Sequence, residues 1–109
     1  MELMNKFVSR GRRTASRILE GSAVILLLPD NSTDRNDSIF QLGPVGTFFW
    51  KLLEDDPRVS SIVVSFMKKF SFSRREAVKQ ASDLIRRLRK KKLIEVRNKP
   101  DKAGKPWLR

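Results

Sequence analysis

The feature that most constrains the fold is a capped amphipathic segment in the last third of the chain. Ser73 is followed three residues later by Glu76, the spacing of a capping box in which the serine hydroxyl accepts the glutamate N–H. Apolar residues then recur at helical spacing and predict one buried face, made of Ala77, Val78, Ala81, Leu84, Ile85 and Leu88. Continuing this period would turn Lys92 toward the core, so the helix is expected to end near Lys91.

Upstream of this helix, the sequence predicts three strands and two shorter helices. The strands are expected at residues 15–20, 23–28 and 38–42. Gly21-Ser22 is a turn that closes a hairpin between the first two strands, and Asp30–Asp37 has the composition of a loop. The first helix opens at Pro44, and the second covers roughly residues 60–70. Trp50 lies off the apolar stripe of the first helix, where it either packs against a second surface, which we favour, or is an exposed anchor.

This order of elements predicts an α+β domain of the winged helix-turn-helix type, with a three-stranded antiparallel sheet followed by three helices. The chain has 109 residues, which fits one domain. The domain is expected to cover residues 15–96, with Leu93-Ile94 as its last anchor in the core. A basic lead-in at residues 1–14 precedes it, and a basic, disordered tail that contains Trp107 follows at residues 97–109.

The composition argues against catalysis. The chain contains no Cys, His or Tyr, so it lacks a thiolate nucleophile, the commonest metal ligand and the usual general base at neutral pH. Its acidic residues are scattered through turn-like segments, which is typical of solvated turns rather than of paired catalytic carboxylates. We therefore expect a protein that is not an enzyme and that uses no cofactor or metal.

Neither a signal peptide nor a membrane span is evident in the sequence. Met1–Phe7 lacks the apolar core of a signal peptide. The longest apolar run, Ala23–Leu28, is far shorter than the roughly 20 residues that cross a bilayer. A cytoplasmic location is expected.

The positive charge is concentrated at the two ends of the chain. The formal net charge is +12, and residues 86–109 hold eleven Lys and Arg against two acidic residues. Residues 1–17 hold five against one, whereas residues 18–85 hold eight against nine. Basic ends can bind nucleic acid, an acidic protein or an anionic surface, and they can equally serve only to keep a protein soluble.

Two surfaces are candidates for binding. The face of the third helix opposite its apolar stripe is basic, as in a DNA-binding recognition helix, and consists of Arg75, Lys79, Arg86 and Lys90. This DNA-binding alternative is weakened because Gln80 is nearly the only residue there suited to reading bases. The second surface is the strand at residues 38–42, whose edge could accept an extended peptide, be covered by the protein's own helix, or pair with a second copy in a homodimer.

An ordered set of segments resembles the pyrroloquinoline-quinone biosynthesis protein D family. The segments are Phe40-Gln41-Leu42-Gly43, Phe49-Trp50-Lys51-Leu52-Leu53, Val59-Ser60-Ser61-Ile62-Val63 with Phe66 and Phe70, Ser73-Arg74-Arg75-Glu76-Ala77, and Leu84-Ile85 with Leu88 and Lys92-Leu93-Ile94-Glu95. The likeness covers about residues 16–96 and rests on their order and spacing. Gly43 stands where the family often has Asn, and Lys92 where it often has Gly.

The resemblance implies a peptide-recognition module that presents the leader of a ribosomally made precursor peptide to a modifying enzyme. In this family the enzyme is commonly a radical S-adenosylmethionine enzyme, and the product is pyrroloquinoline quinone or another modified peptide. The leader adds as a strand beside the third strand and against the third helix. Carried onto this chain, the strand side is Ser38, Ile39, Phe40, Gln41 and Leu42. The helix side is Val78, Ser82, Ile85, Arg86 and Arg89.

Overall fold

A computed structural model describes residues 2–28 and 38–99. In chain order the strands and α-helices are β1 (Phe7–Arg10), β2 (Thr14–Leu19), β3 (Ser22–Leu27), β4 (Ser38–Gln41), α1 (Pro44–Leu52), α2 (Val59–Phe70), α3 (Arg74–Lys90) and β5 (Ile94–Arg97). The loop predicted at Asp30–Asp37 lies outside the described residues, as do Trp107 and the rest of the predicted tail beyond residue 99.

The central sheet confirms the predicted α+β class. β2, β3 and β4 form an antiparallel sheet in which β3 is the middle strand. Ile25 of β3 pairs with Ser16 of β2 on one side and with Phe40 of β4 on the other. Ala23 and Ile25 are fully buried and face the helices, because alternate residues of a strand point to the same side of the sheet.

The three helices pack their apolar faces into a single core. Phe49 of α1, Phe66 of α2 and Leu84 of α3 belong to one cluster of buried side chains. Ser73 caps α3 as expected, since its Oγ accepts the Glu76 N–H at 3.1 Å. α3 ends at Lys90, one residue before the predicted end.

Trp50 packs against a second surface, as favoured from the sequence. Its side chain is 1% exposed, and its Nε1 donates to the Ser16 Oγ of β2 at 2.9 Å. The Arg10 guanidinium of β1 lies 5.0 Å from the centre of the indole ring and donates to the Trp50 carbonyl at 3.0 Å. Burial lowers the pKa of Arg10 from its ordinary value, and the Glu54 carboxylate partly counters this effect.

A second sheet, made of β1 and β5, is not predicted by the sequence patterns. The two strands are antiparallel, with Val8 opposite Val96 and Phe7 opposite Arg97. Each strand has only four residues, which is too short for alternation of apolar and polar residues to stand out. The segment predicted as a basic lead-in thus contains a strand that pairs with the chain after α3, and β5 extends one residue past the predicted end of the domain.

Gly11 lies where the amino-terminal segment touches the chain after α3. Its N–H donates to the Leu93 carbonyl at 2.8 Å. A Cβ at this position would lie only 2.7 Å from the Lys92 carbonyl oxygen, a contact with backbone that no rotamer change can relieve. Close backbone approach therefore requires glycine at residue 11.

We predict that Gly11→Ala destabilises the domain by about 1–3 kcal/mol, the usual range for overpacking a closely packed site. Thermal unfolding followed by circular dichroism measures this loss. Gly43→Ala is the matched control, because a Cβ at Gly43 would meet nothing within 4 Å. A Gly11→Ala variant as stable as the control would show that the contact between Gly11 and Lys92 is not tight in solution.

Candidate functional site

The candidate site begins at β4, which is an edge strand of the central sheet. The Leu42 N–H donates to the Ala23 carbonyl of β3 at 2.9 Å. Main-chain groups alternate in direction along an antiparallel strand, so those of Phe40 also point toward β3, and those of Ile39 and Gln41 point toward the open edge. Within the described part of the chain, no strand pairs with that edge.

β4 lacks two features that commonly protect an edge strand from pairing with another chain. Its sequence, Ser38-Ile39-Phe40-Gln41, contains no charged residue and no proline, two common protections of sheet edges. The Ile39 side chain is 65% exposed on the outer face of the sheet. The edge is therefore suited to accept an extended segment of another molecule.

The hydroxyl of Thr47 fixes the end of β4 against α1. It accepts the Ala23 N–H of β3 at 2.9 Å and donates to the Leu42 carbonyl at 3.1 Å. Thr47 is buried, so these hydrogen bonds satisfy main-chain groups that water does not reach. Sequence reasoning did not single out this residue, because one threonine in an apolar helix gives no periodic signal.

A groove of about 290 Å³ opens between the end of β4, the start of α1 and one flank of α3. It is lined by Gln41, Leu42, Gly43, Pro44, Val45, Gly46, Gln80, Leu84, Arg87 and Leu88. Four of these residues are large and apolar: Leu42, Val45, Leu84 and Leu88. A groove beside an open strand edge can receive the side chains of an added strand.

The charges around the groove are positive. Arg87 lines it, and the Lys91 Nζ lies 5.4 Å from the centre of the Phe40 ring. Among the described residues that line the groove, none is acidic. Asp83, a nearby carboxylate on α3, accepts from the Arg86 guanidinium at 2.9 Å.

The structure brings two of the five predicted strand residues to the groove and leaves the other three along β4. Ile39 and Gln41 are exposed, whereas Phe40 and Leu42 are half-buried. Ser38 begins the strand, opposite Leu27 of β3. Gln41 and Leu42 line the groove itself.

The structure does not bring the predicted helix residues to the same groove. Ile85 is buried, Val78 and Ser82 are half-buried, and Arg86 and Arg89 are exposed. None of the five lines the groove; the α3 residues that do so are Gln80, Leu84, Arg87 and Leu88. Peptide contacts by the five predicted residues stay a prediction.

Helical periodicity explains this difference. It identifies the buried face of α3 but not which of the two flanks beside that face lies next to β4. Gln80, Arg87 and Lys91 lie on the flank nearer β4, at helical spacings of seven and four residues. This row of polar residues is visible in the sequence. Recognising it as part of the site requires knowing how α3 is oriented relative to the sheet.

The described residues contain neither a candidate metal site nor a helix that could span a membrane. Residues 2–28 and 38–99 contain no group of three or more His, Cys, Asp or Glu placed to hold a metal ion. None of the helices in these ranges is both long enough and apolar enough to cross a membrane.

The predicted basic face of α3 is present and exposed, with Arg75, Lys79, Arg86 and Lys90.

Comparison with known proteins gives one family and one similar structure. The model of a family described as coenzyme PQQ synthesis protein D matches residues 23–94. A solved structure described as "TbiB1 in Complex with the TbiA(beta) Leader Peptide" is similar with a TM-score of 0.69 and 26% sequence identity. The similarity covers 80% of this chain and 94% of that chain. No curated protein matches the sequence.

We predict that hydrogen exchange alternates along β4 in the free protein. The Ile39 and Gln41 amides should exchange at least about tenfold faster than those of Phe40 and Leu42, because only the latter pair donates to β3. Amide exchange followed by NMR in dilute protein measures this pattern. Equal protection of all four amides would mean that another segment already covers the edge.

Proposed function

The chain belongs to the coenzyme PQQ synthesis protein D family, and we propose that it binds the leader segment of a ribosomally made precursor peptide as a strand added beside β4. The observation that carries the proposal is the open, uncharged edge of β4 next to an apolar groove. The similar solved structure, in which TbiB1 is in complex with a leader peptide, supports the same kind of ligand.

Strand addition uses the main chain of Ile39 and Gln41. Each of these residues turns one N–H and one C=O toward the open edge, so an added strand can form up to four main-chain hydrogen bonds there. A typical hydrogen bond contributes about 0.5–1.5 kcal/mol net, and main-chain bonds do not depend on the ligand's side chains. These bonds therefore give affinity without sequence preference.

The side chains of the added strand supply specificity. They alternate between two faces, so those opposite Phe40 and Leu42 point toward the helices and those opposite Ile39 and Gln41 point outward. Burying one large apolar side chain against Leu42, Val45 and Leu84 adds about 1.5–3 kcal/mol. The leader would thus be held by its backbone at the edge and by its side chains in the groove.

We propose that the chain itself carries out no chemistry and presents its bound peptide to a separate modifying enzyme. The absence of Cys, His and Tyr from the sequence supports this division of labour. By family resemblance, the enzyme is a radical S-adenosylmethionine enzyme, and the product is pyrroloquinoline quinone or a related modified peptide. The cytoplasm, where precursor peptides are made, is the proposed place of binding.

A proline substitution separates strand addition from other ways of binding a peptide. A randomised ten-residue library displayed on phage supplies the ligand, and the most enriched peptide is synthesised and titrated by calorimetry. We predict that Gln41→Pro weakens its binding about tenfold or more, because proline removes the outward N–H and its ring obstructs the edge. Gln41→Ala keeps that N–H and should stay within about threefold of the parent.

Thermal unfolding shows whether both variants remain folded, and proline on an edge strand leaves the hydrogen bonds between β3 and β4 in place. Equal affinities of the Gln41→Pro and Gln41→Ala variants for the selected peptide would exclude strand addition at β4. Failure of the library to yield any peptide that binds the folded parent protein would contradict the proposed function as a whole.

A further inference from the structure

We infer that the groove selects leader peptides in which an acidic residue stands two positions from a large apolar residue, with Arg87 as the specificity-determining residue. This inference rests on the proposed function, because it assumes that an extended peptide lies beside β4. It adds the chemical class of the ligand and a residue outside those predicted from the sequence.

The apolar half of the motif follows from the lining of the groove. Leu84 and Leu88 of α3 are buried beneath it, and Leu42 and Val45 close it from the sheet and from α1. All four side chains are aliphatic. A large aliphatic or aromatic side chain seated on them loses its contact with water and keeps no unsatisfied polar group.

The acidic half follows from two cations that have no carboxylate partner in the described part of the chain. Arg87 lines the groove, and Lys91, the residue that follows α3, lies over the Phe40 ring four positions further along the chain. In residues 2–28 and 38–99, no salt bridge involves either residue, whereas Arg86 already pairs with Asp83. A ligand carboxylate there can form a charge-assisted hydrogen bond with the Arg87 guanidinium.

Helix and strand geometry sets the spacing between the two halves. The Lys91 Nζ contacts the Phe40 ring, whereas Leu84 and Arg87 line the groove together with Leu42. The end of α3 therefore runs alongside the strand in the direction from Leu42 to Phe40. Leu84 precedes Arg87 by about 4.5 Å and Lys91 by about 10 Å along the helix axis. Residues i and i+2 of a strand lie about 6.6 Å apart on one face. A residue two positions from the apolar one therefore lies between Arg87 and Lys91.

The most enriched peptide of the phage-displayed library also tests this inference. The enriched sequences should carry Asp or Glu two positions from a large apolar residue, and the order of the two shows the direction of the added strand. Changing the peptide's Glu to Gln should weaken binding about five- to tenfold, and Arg87→Gln in the protein should cause a similar loss. The two changes together should weaken binding little more than either one alone, because they remove the same interaction.

Two controls separate Arg87 from the general positive field. Arg75→Gln makes the same change on the exposed face of α3 away from the groove and should alter affinity less than twofold at physiological salt. Arg87→Glu should weaken binding of the acidic peptide and strengthen binding of a peptide with Lys at that position. Equal losses for Arg87→Gln and Arg75→Gln would overturn the assignment of Arg87.

The outcomes also distinguish this inference from the proposed function. Selected peptides that bind, that lose affinity with Gln41→Pro and that show no acidic preference would overturn the inference while supporting strand addition. A preference for acidic peptides that is unaffected by Arg87→Gln would likewise remove Arg87 from its role.

Discussion

The docking of α1 on the central sheet is the constraint on which the rest of the site depends. The Thr47 hydroxyl bonds to main-chain groups of β3 and of Leu42, and the buried Trp50 indole bonds to β2 and lies under Arg10 of β1. These contacts join α1 to each strand of the central sheet and to the second sheet. Because α1 begins directly after β4, they also determine where the strand ends and where the groove opens.

Much of the fold could be predicted from local patterns. The hairpin turn, the apolar run of β3 and the capping box at Ser73 each specify an element without reference to distant parts of the chain, although the turn falls at Glu20-Gly21, one residue before the predicted Gly21-Ser22. β1 and β5 could not be predicted in this way. Each has four residues, and each pairs with a segment that lies far away along the chain.

Only one of the two sides of the candidate site could be predicted from local patterns. The strand side at Ile39–Leu42 is predictable, because alternation along a strand is a local property and a third strand added to a hairpin lies at one edge of the sheet. The helix side is not, because the flank of α3 that lies beside β4 depends on how the helix crosses the sheet. Gln80, Arg87 and Thr47 were missed for this reason: each acquires its place from tertiary packing rather than from sequence spacing.

The pairing of β1 with β5 has a consequence for the order of folding. Beside the two strands, the Lys6 side chain donates to that of Asn98, 92 positions away along the chain. Bringing such distant segments together in an unfolded chain carries a large loop-closure entropy, which falls once the intervening elements are compact. The central sheet and helices are therefore expected to form first and β1–β5 last. The Gly11 N–H then bonds to the Leu93 carbonyl just after α3. The final folding step therefore also fixes the chain around Lys91, at the end of this helix.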